Sequence, residues 1–136
     1  MRLRLIIPIL LITICTTVQA QSMIGLAKTE VQEIVKKKHM GFRKDNTVVK
    51  QQFNYLKYVN GIKTKTWILY FTEEDVCRTS KLVCDYSEYG DMVEELSSSH
   101  QKVGESRWEY TQAADTFQVN LTKQEWYFTV RETRKD

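Results

Sequence analysis

Runs in which apolar and polar residues take alternate positions govern what this chain can fold into. Phe117, Val119 and Leu121 fall on every second position, as do Trp126, Phe128 and Val130, with Gln118, Asn120 and Thr129 among the residues between them. A period of two puts one set of side chains on one face of a strand, and polar residues opposite mean that only one face is buried. Strands are therefore predicted over 53–59, 66–71, 81–86, 107–111, 116–121 and 126–131. The dipeptide Asn60-Gly61 separates the first two, and Asn-Gly between alternating runs is a strong hairpin signal. Segment 72–75 reads as a capped helical turn.

Two stretches change period. Ala27, Val31, Ile34 and Val35 stand at i, i+4, i+7 and i+8 with charges between them, the pattern of an amphipathic helix of about three turns. Thr29 and Gln32 offer a capping box at its start, and Gly41 a stop after it. A second helix carries Tyr89, Met92, Val93, Leu96 and His100 on one face, with Ser87 as its N-cap. The predicted fold is α+β, two helix-then-three-strand units with the helices packed on one face of an antiparallel sheet. The repeated order of elements, about 24–86 and 87–136, suggests an internal duplication. Tyr55-Leu56-Lys57-Tyr58 parallels Trp108-Glu109-Tyr110, and Lys81-Leu82-Val83-Cys84 parallels Trp126-Tyr127-Phe128-Thr129.

The first twenty residues follow another logic. Arg2 and Arg4 precede an apolar run from Leu5, and the small-residue site Val18-Gln19-Ala20 follows. That is the layout of a secretory signal peptide, 1–20, and the run is short of the roughly 20 residues that span a bilayer. Cleavage near Ala20 is favoured over lipid anchoring at Cys15, because Ile14 stands where a lipid-attachment site wants a small residue. A single domain, 21–136, then remains, secreted or periplasmic, with no transmembrane segment of its own.

Removing the leader takes away the sole proline, Pro8, and two of the 20 basic residues, so that 18 face 17 acidic ones. No electrostatic footprint for nucleic acid is left. Lys36-Lys37-Lys38, the one basic cluster, reads as the solvated end of the first helix. All 15 aromatic residues stay in the domain, which argues for a packed sheet protein and against disorder. Cys77 and Cys84 also stay, six residues between them. In an oxidising compartment such a pair is expected to form a local disulfide, since a redox motif wants two intervening residues and a zinc site more ligands.

Gly25-Leu26-Ala27-Lys28-Thr29-Glu30-Val31 resembles the opening of the first helix in small exported α+β proteins of the β-lactamase-inhibitor-like group, to which outer-membrane assembly lipoproteins of the SmpA/OmlA type belong. Ala27 stands where that pattern has a capping Thr. The resemblance implies a layered α+β fold and a binding role, with no catalytic residue to carry over. The end of the leader, Val18-Gln19-Ala20-Gln21, is similar to those of exported Bacteroidetes proteins, which implies a Gram-negative periplasmic or secreted protein.

Catalytic signatures are scarce. His39 and His100 lie near the ends of the two helices, outside any recognisable motif, and read as structural or surface residues. Glu73-Glu74 and Glu94-Glu95 are adjacent pairs that point in different directions on a helix. Phosphate-binding and nucleophile-elbow motifs do not occur. No catalytic residue, metal ligand or cofactor is assigned. Asn120-Leu121-Thr122 fits a glycosylation triplet, meaningful only in a eukaryotic host.

Strand tyrosines are more numerous than the buried face can hold, so some line the open face, where they either simply cover the sheet or serve recognition. Function is accordingly expected to be non-catalytic: an accessory protein of the cell envelope presenting Tyr58, Tyr70 and Tyr127 to an envelope or extracellular protein. The alternative is a small-ligand-binding protein or weak hydrolase with a pocket between helices and sheet. A cavity holding His39 or His100 beside a carboxylate favours that alternative, and a solid core counts against it.

Overall fold

In the computed structural model, residues 22–47 and 51–136 are described; the leader, 1–20, lies outside them. Among the described residues two α-helices, α1 (Lys28–Lys38) and α2 (Tyr89–Ser99), accompany eight strands: β1 (Phe42–Lys44), β2 (Tyr55–Asn60), β3 (Lys65–Phe71), β4 (Cys77–Asp85), β5 (Gln101–Gly104), β6 (Arg107–Gln112), β7 (Asp115–Lys123) and β8 (Tyr127–Arg134). All eight form one antiparallel sheet in the order β1-β2-β3-β4-β8-β7-β6-β5. Each half is a helix followed by a four-strand meander, and the last strands of the halves, β4 and β8, pair at the centre.

The three-strand units predicted from sequence are thus wrong. Each unit gains a strand, β1 or β5, immediately after its helix. Both are short, mostly exposed edge strands bearing Arg43, Lys44 and Lys102. Charge on a short edge deters pairing with other chains, and it also erases the alternation by which a strand is recognised.

The register shows why the helices share a face. Leu56 pairs with Leu69, Leu69 with Ser80, Ser80 with Glu132, Glu132 with Val119 and Val119 with Trp108, one row across six strands. Residues so paired point to the same side. On that inner side Val31 and Val35 of α1 pack with Leu56, Tyr58, Leu69, Phe71, Cys77 and Phe117. Met92 and Leu96 of α2 pack with Cys84, Trp108, Val119, Leu121 and Phe128. Two apolar clusters result, one under each helix.

Local details depart from the sequence reading. Ala27 is the N-cap of α1 with no side-chain cap bond, while Thr29 lies inside the helix. Before α2, the Asp85 carboxylate accepts from the Ser87 backbone N–H at 2.9 Å and caps a short 3₁₀ turn, so Ser87 is not the cap. Segment 72–75 is the tight turn of the β3–β4 hairpin, closed by Asp75 N–H donating to the Thr72 carbonyl at 3.0 Å. The β2–β3 hairpin forms as predicted, but the left-handed residue of its loop is Lys63, at φ 59°, rather than Gly61. Trp126, placed inward by alternation with Phe128, lies in the β7–β8 turn and is 77% exposed.

Among the described residues Cys77 and Cys84 are free, buried thiols at opposite ends of β4. Seven steps of extended strand separate their Cα atoms by roughly 23 Å, against the ~7 Å limit for a disulfide. The predicted bridge is therefore excluded. Each sulfur belongs to a different apolar cluster, and burial pushes Cys77 up to about 11 and Cys84 up to about 12.

Candidate functional site

Between the two clusters the inner face changes character. Ser80 and Glu132 face each other across β4 and β8, polar side chains in a row otherwise built from Leu56, Leu69, Val119 and Trp108. Glu132 Oε1 accepts a hydrogen bond from Ser22 Oγ at 2.8 Å and another, short one from the Tyr110 hydroxyl. Ser22 in turn accepts from the Ile24 backbone N–H at 3.2 Å, and its own backbone N–H donates to Gln112 Oε1 at 3.0 Å. Burial of Tyr110, then the Glu132 charge and their hydrogen bond, raise the phenol pKa well above its ordinary value. Ser80 Oγ accepts from Trp67 Nε1–H at 2.8 Å.

Both helices end over this polar centre. His39 is the C-cap of α1 and His100 the C-cap of α2, each donating its backbone N–H four residues back, to Val35 and Leu96. The His39 ring meets Trp67 edge-on, centroids 5.1 Å apart, and the His100 ring lies flat on Tyr110 at 4.4 Å. His100 Nδ1 is buried and has no hydrogen-bond partner among the described residues. Burial, with the neighbouring Lys38 charge, lowers the His39 pKa.

Together these residues line a cleft of about 310 Å³, with His39, Trp67, Ser80, His100 and Glu132 set among Phe42, Leu82, Met92, Leu96, Val119 and Val130. A second hollow of about 180 Å³ shares those five and reaches Ser22, Met23 and Tyr110. Lys65 and Glu95 stand in the wall of the larger one. Lys65 is engaged by Glu88 at 3.5 Å.

Among the residues proposed from sequence, the three tyrosines do not form one patch. Tyr58 is 5% exposed on the inner face, paired with Trp67 and packed in the α1 cluster, which removes it from any open face. Tyr70 lies on the opposite side of the sheet, paired with Tyr55. Tyr127 begins β8 opposite Asp85, six residues from Thr133, which lies across from Thr79 in the row of Tyr70. That is roughly 20 Å away along the strand. The two histidines, read as structural, are what the fold brings together.

Glu132 and Ser80 escaped the sequence reading because each falls just beyond a predicted strand boundary. Extending the alternation of Phe128 and Val130 by one step places Glu132 inward, and extending Leu82 and Cys84 backward places Ser80 inward. A charged residue on a buried stripe was the available signal.

Among the described residues no group of three or more His, Cys, Asp or Glu side chains is arranged to hold a metal ion. None of the described helices is long and apolar enough to cross a membrane. Comparison of the chain with protein families, characterised proteins and solved structures finds no match.

Proposed function

We propose that this protein binds a small organic ligand, without chemical conversion, in the cleft between the helix C-termini and the centre of the sheet. One observation carries the reading: a single cleft gathers both histidines, Trp67, Ser80 and the Glu132 carboxylate between the two apolar clusters. Its volume falls at the lower end of small-ligand pockets, ~300–1,000 Å³, which combine apolar walls with a few convergent polar groups. Two features favour binding over catalysis. Ser80 Oγ is engaged by the Trp67 indole, and Glu132 is held by Tyr110 and Ser22; these bonds take up the groups that a nucleophile and base would need free. The exported address, resting on the leader at 1–20, belongs to the same proposal, as does the likeness to the β-lactamase-inhibitor-like group.

A fragment screen read by ¹H–¹⁵N NMR tests the reading. Binders are expected to move the Trp67 indole N–H together with the His39 and His100 ring signals, and Trp67→Ala is expected to abolish their effect. Binders that move only Tyr55 and Tyr70, on the outer face, would overturn it.

A further inference from the structure

We infer that the ligand of this cleft is a protonated amine carrying an apolar body. The inference rests on the small-ligand reading above and adds the chemical class. Its first support is the sign of the field in the cleft. α1 and α2 both deliver their C-terminal ends there, through His39 and His100, and a helix C-terminus carries about half a negative charge. Glu132 adds a carboxylate at the floor, and Glu95 an exposed one in the wall. Opposing charge comes from Lys65, which is engaged by Glu88 at 3.5 Å, and from Lys36, Lys37 and Lys38, exposed on the last turn of α1, of which Lys38 with burial lowers the His39 pKa and so disfavours a second positive charge there.

The second support is the set of unused binding groups. Trp67 has its N–H committed to Ser80, so what it offers a ligand is its ring, and an indole ring attracts cations. His100 Nδ1 is buried and without a partner among the described residues, so an ammonium group that reached it would supply a hydrogen bond this nitrogen lacks. Phe42, Leu82, Met92, Leu96, Val119 and Val130 supply the apolar wall. An anion would meet two carboxylates and two helix C-termini, and a purely apolar ligand would leave the polar centre desolvated without partners.

Titrating the purified protein at pH 7 with phenethylamine, 2-phenylethanol and 3-phenylpropionate separates the charge from the shape. Phenethylamine is expected to shift the Trp67 indole N–H and the His100 ring signals and to bind about tenfold tighter than the alcohol, as a buried cation–π and carboxylate contact would give. 3-Phenylpropionate is expected to bind weakest. Glu132→Gln, which keeps a carbonyl for Tyr110 and Ser22, should erase the preference for the amine, and Glu95→Gln should reduce it, with the unfolding midpoint confirming that each variant is folded. If the alcohol or the acid binds as tightly as the amine at the same signals, the amine assignment fails while the cleft stands as a ligand site. If none of the three moves those signals, both fail.

Discussion

His100 lies flat on Tyr110, the ring centroids 4.4 Å apart and the planes 16° from parallel, so that the end of α2 is fixed to β6, whose Tyr110 hydroxyl also donates to Glu132 on β8. Tyr110 also stacks with Phe117 at 5.2 Å and packs against both apolar clusters. It therefore joins the two halves of the core while positioning the carboxylate at the floor of the cleft. Tyr110→Phe keeps the stack and removes the hydrogen bond to a charged acceptor. It is expected to cost about 1–3 kcal/mol, measured by urea unfolding, and to leave the His100 ring signals close to their original positions. An unchanged midpoint would contradict the bond.

His39 makes stability depend on pH. Its pKa is lowered from 6.5 in the folded protein by burial and by Lys38, so below 6.5 the unfolded chain takes up a proton more readily than the folded one. The stability contribution is fully present above the unfolded value and is lost as pH falls through the folded one. Denaturation midpoints should decline on acidification from pH 6.5, and His39→Gln should flatten that decline. An equal slope in the variant would remove His39 as its source.

Cys77 and Cys84 should behave as inert core thiols. Buried, with pKa values pushed up to about 11 and about 12, they hold almost no thiolate at neutral pH. Alkylation followed by mass spectrometry is expected to leave both peptides unlabelled in the native protein and to label both after unfolding. A Cys77–Cys84 linked peptide from the native protein would contradict the strand geometry.

Phe128 anchors the cluster under α2. It is fully buried and meets Tyr89 edge-on at 5.5 Å, and Phe128→Ala is expected to cost about 3–5 kcal/mol by the same urea measurement. Tyr127→Ala, at the half-exposed neighbouring position, should cost under about 1 kcal/mol. Comparable losses at the two positions would mean that the face of β8 has been assigned wrongly.

Much of this architecture was legible where burial imposes a period. The α1 stripe of Val31 and Val35 and the alternation of Phe117, Val119 and Leu121 match the buried residues, and so does the hairpin at Asn60-Gly61. Where residues answer to solvent the signal vanished: β1 and β5, exposed and charged, carry no alternation, and with them went the strand count. Spacing in sequence misled for Cys77 and Cys84, because six residues close a short loop only if the chain turns, and here it runs straight. The cleft was half visible. Both histidines could be placed at helix ends, yet their convergence depends on α1 and α2 packing on one side of a sheet joined through β4 and β8, a long-range pairing that local pattern does not encode.

The most direct measurement is a crystal structure of the protein with the tightest amine found by titration. Density is expected between the helix C-termini, the ammonium near Glu132 and His100 Nδ1 and the apolar body against Trp67 and Leu82. Density on the outer face by Tyr55 and Tyr70, with the cleft filled only by solvent, would contradict it.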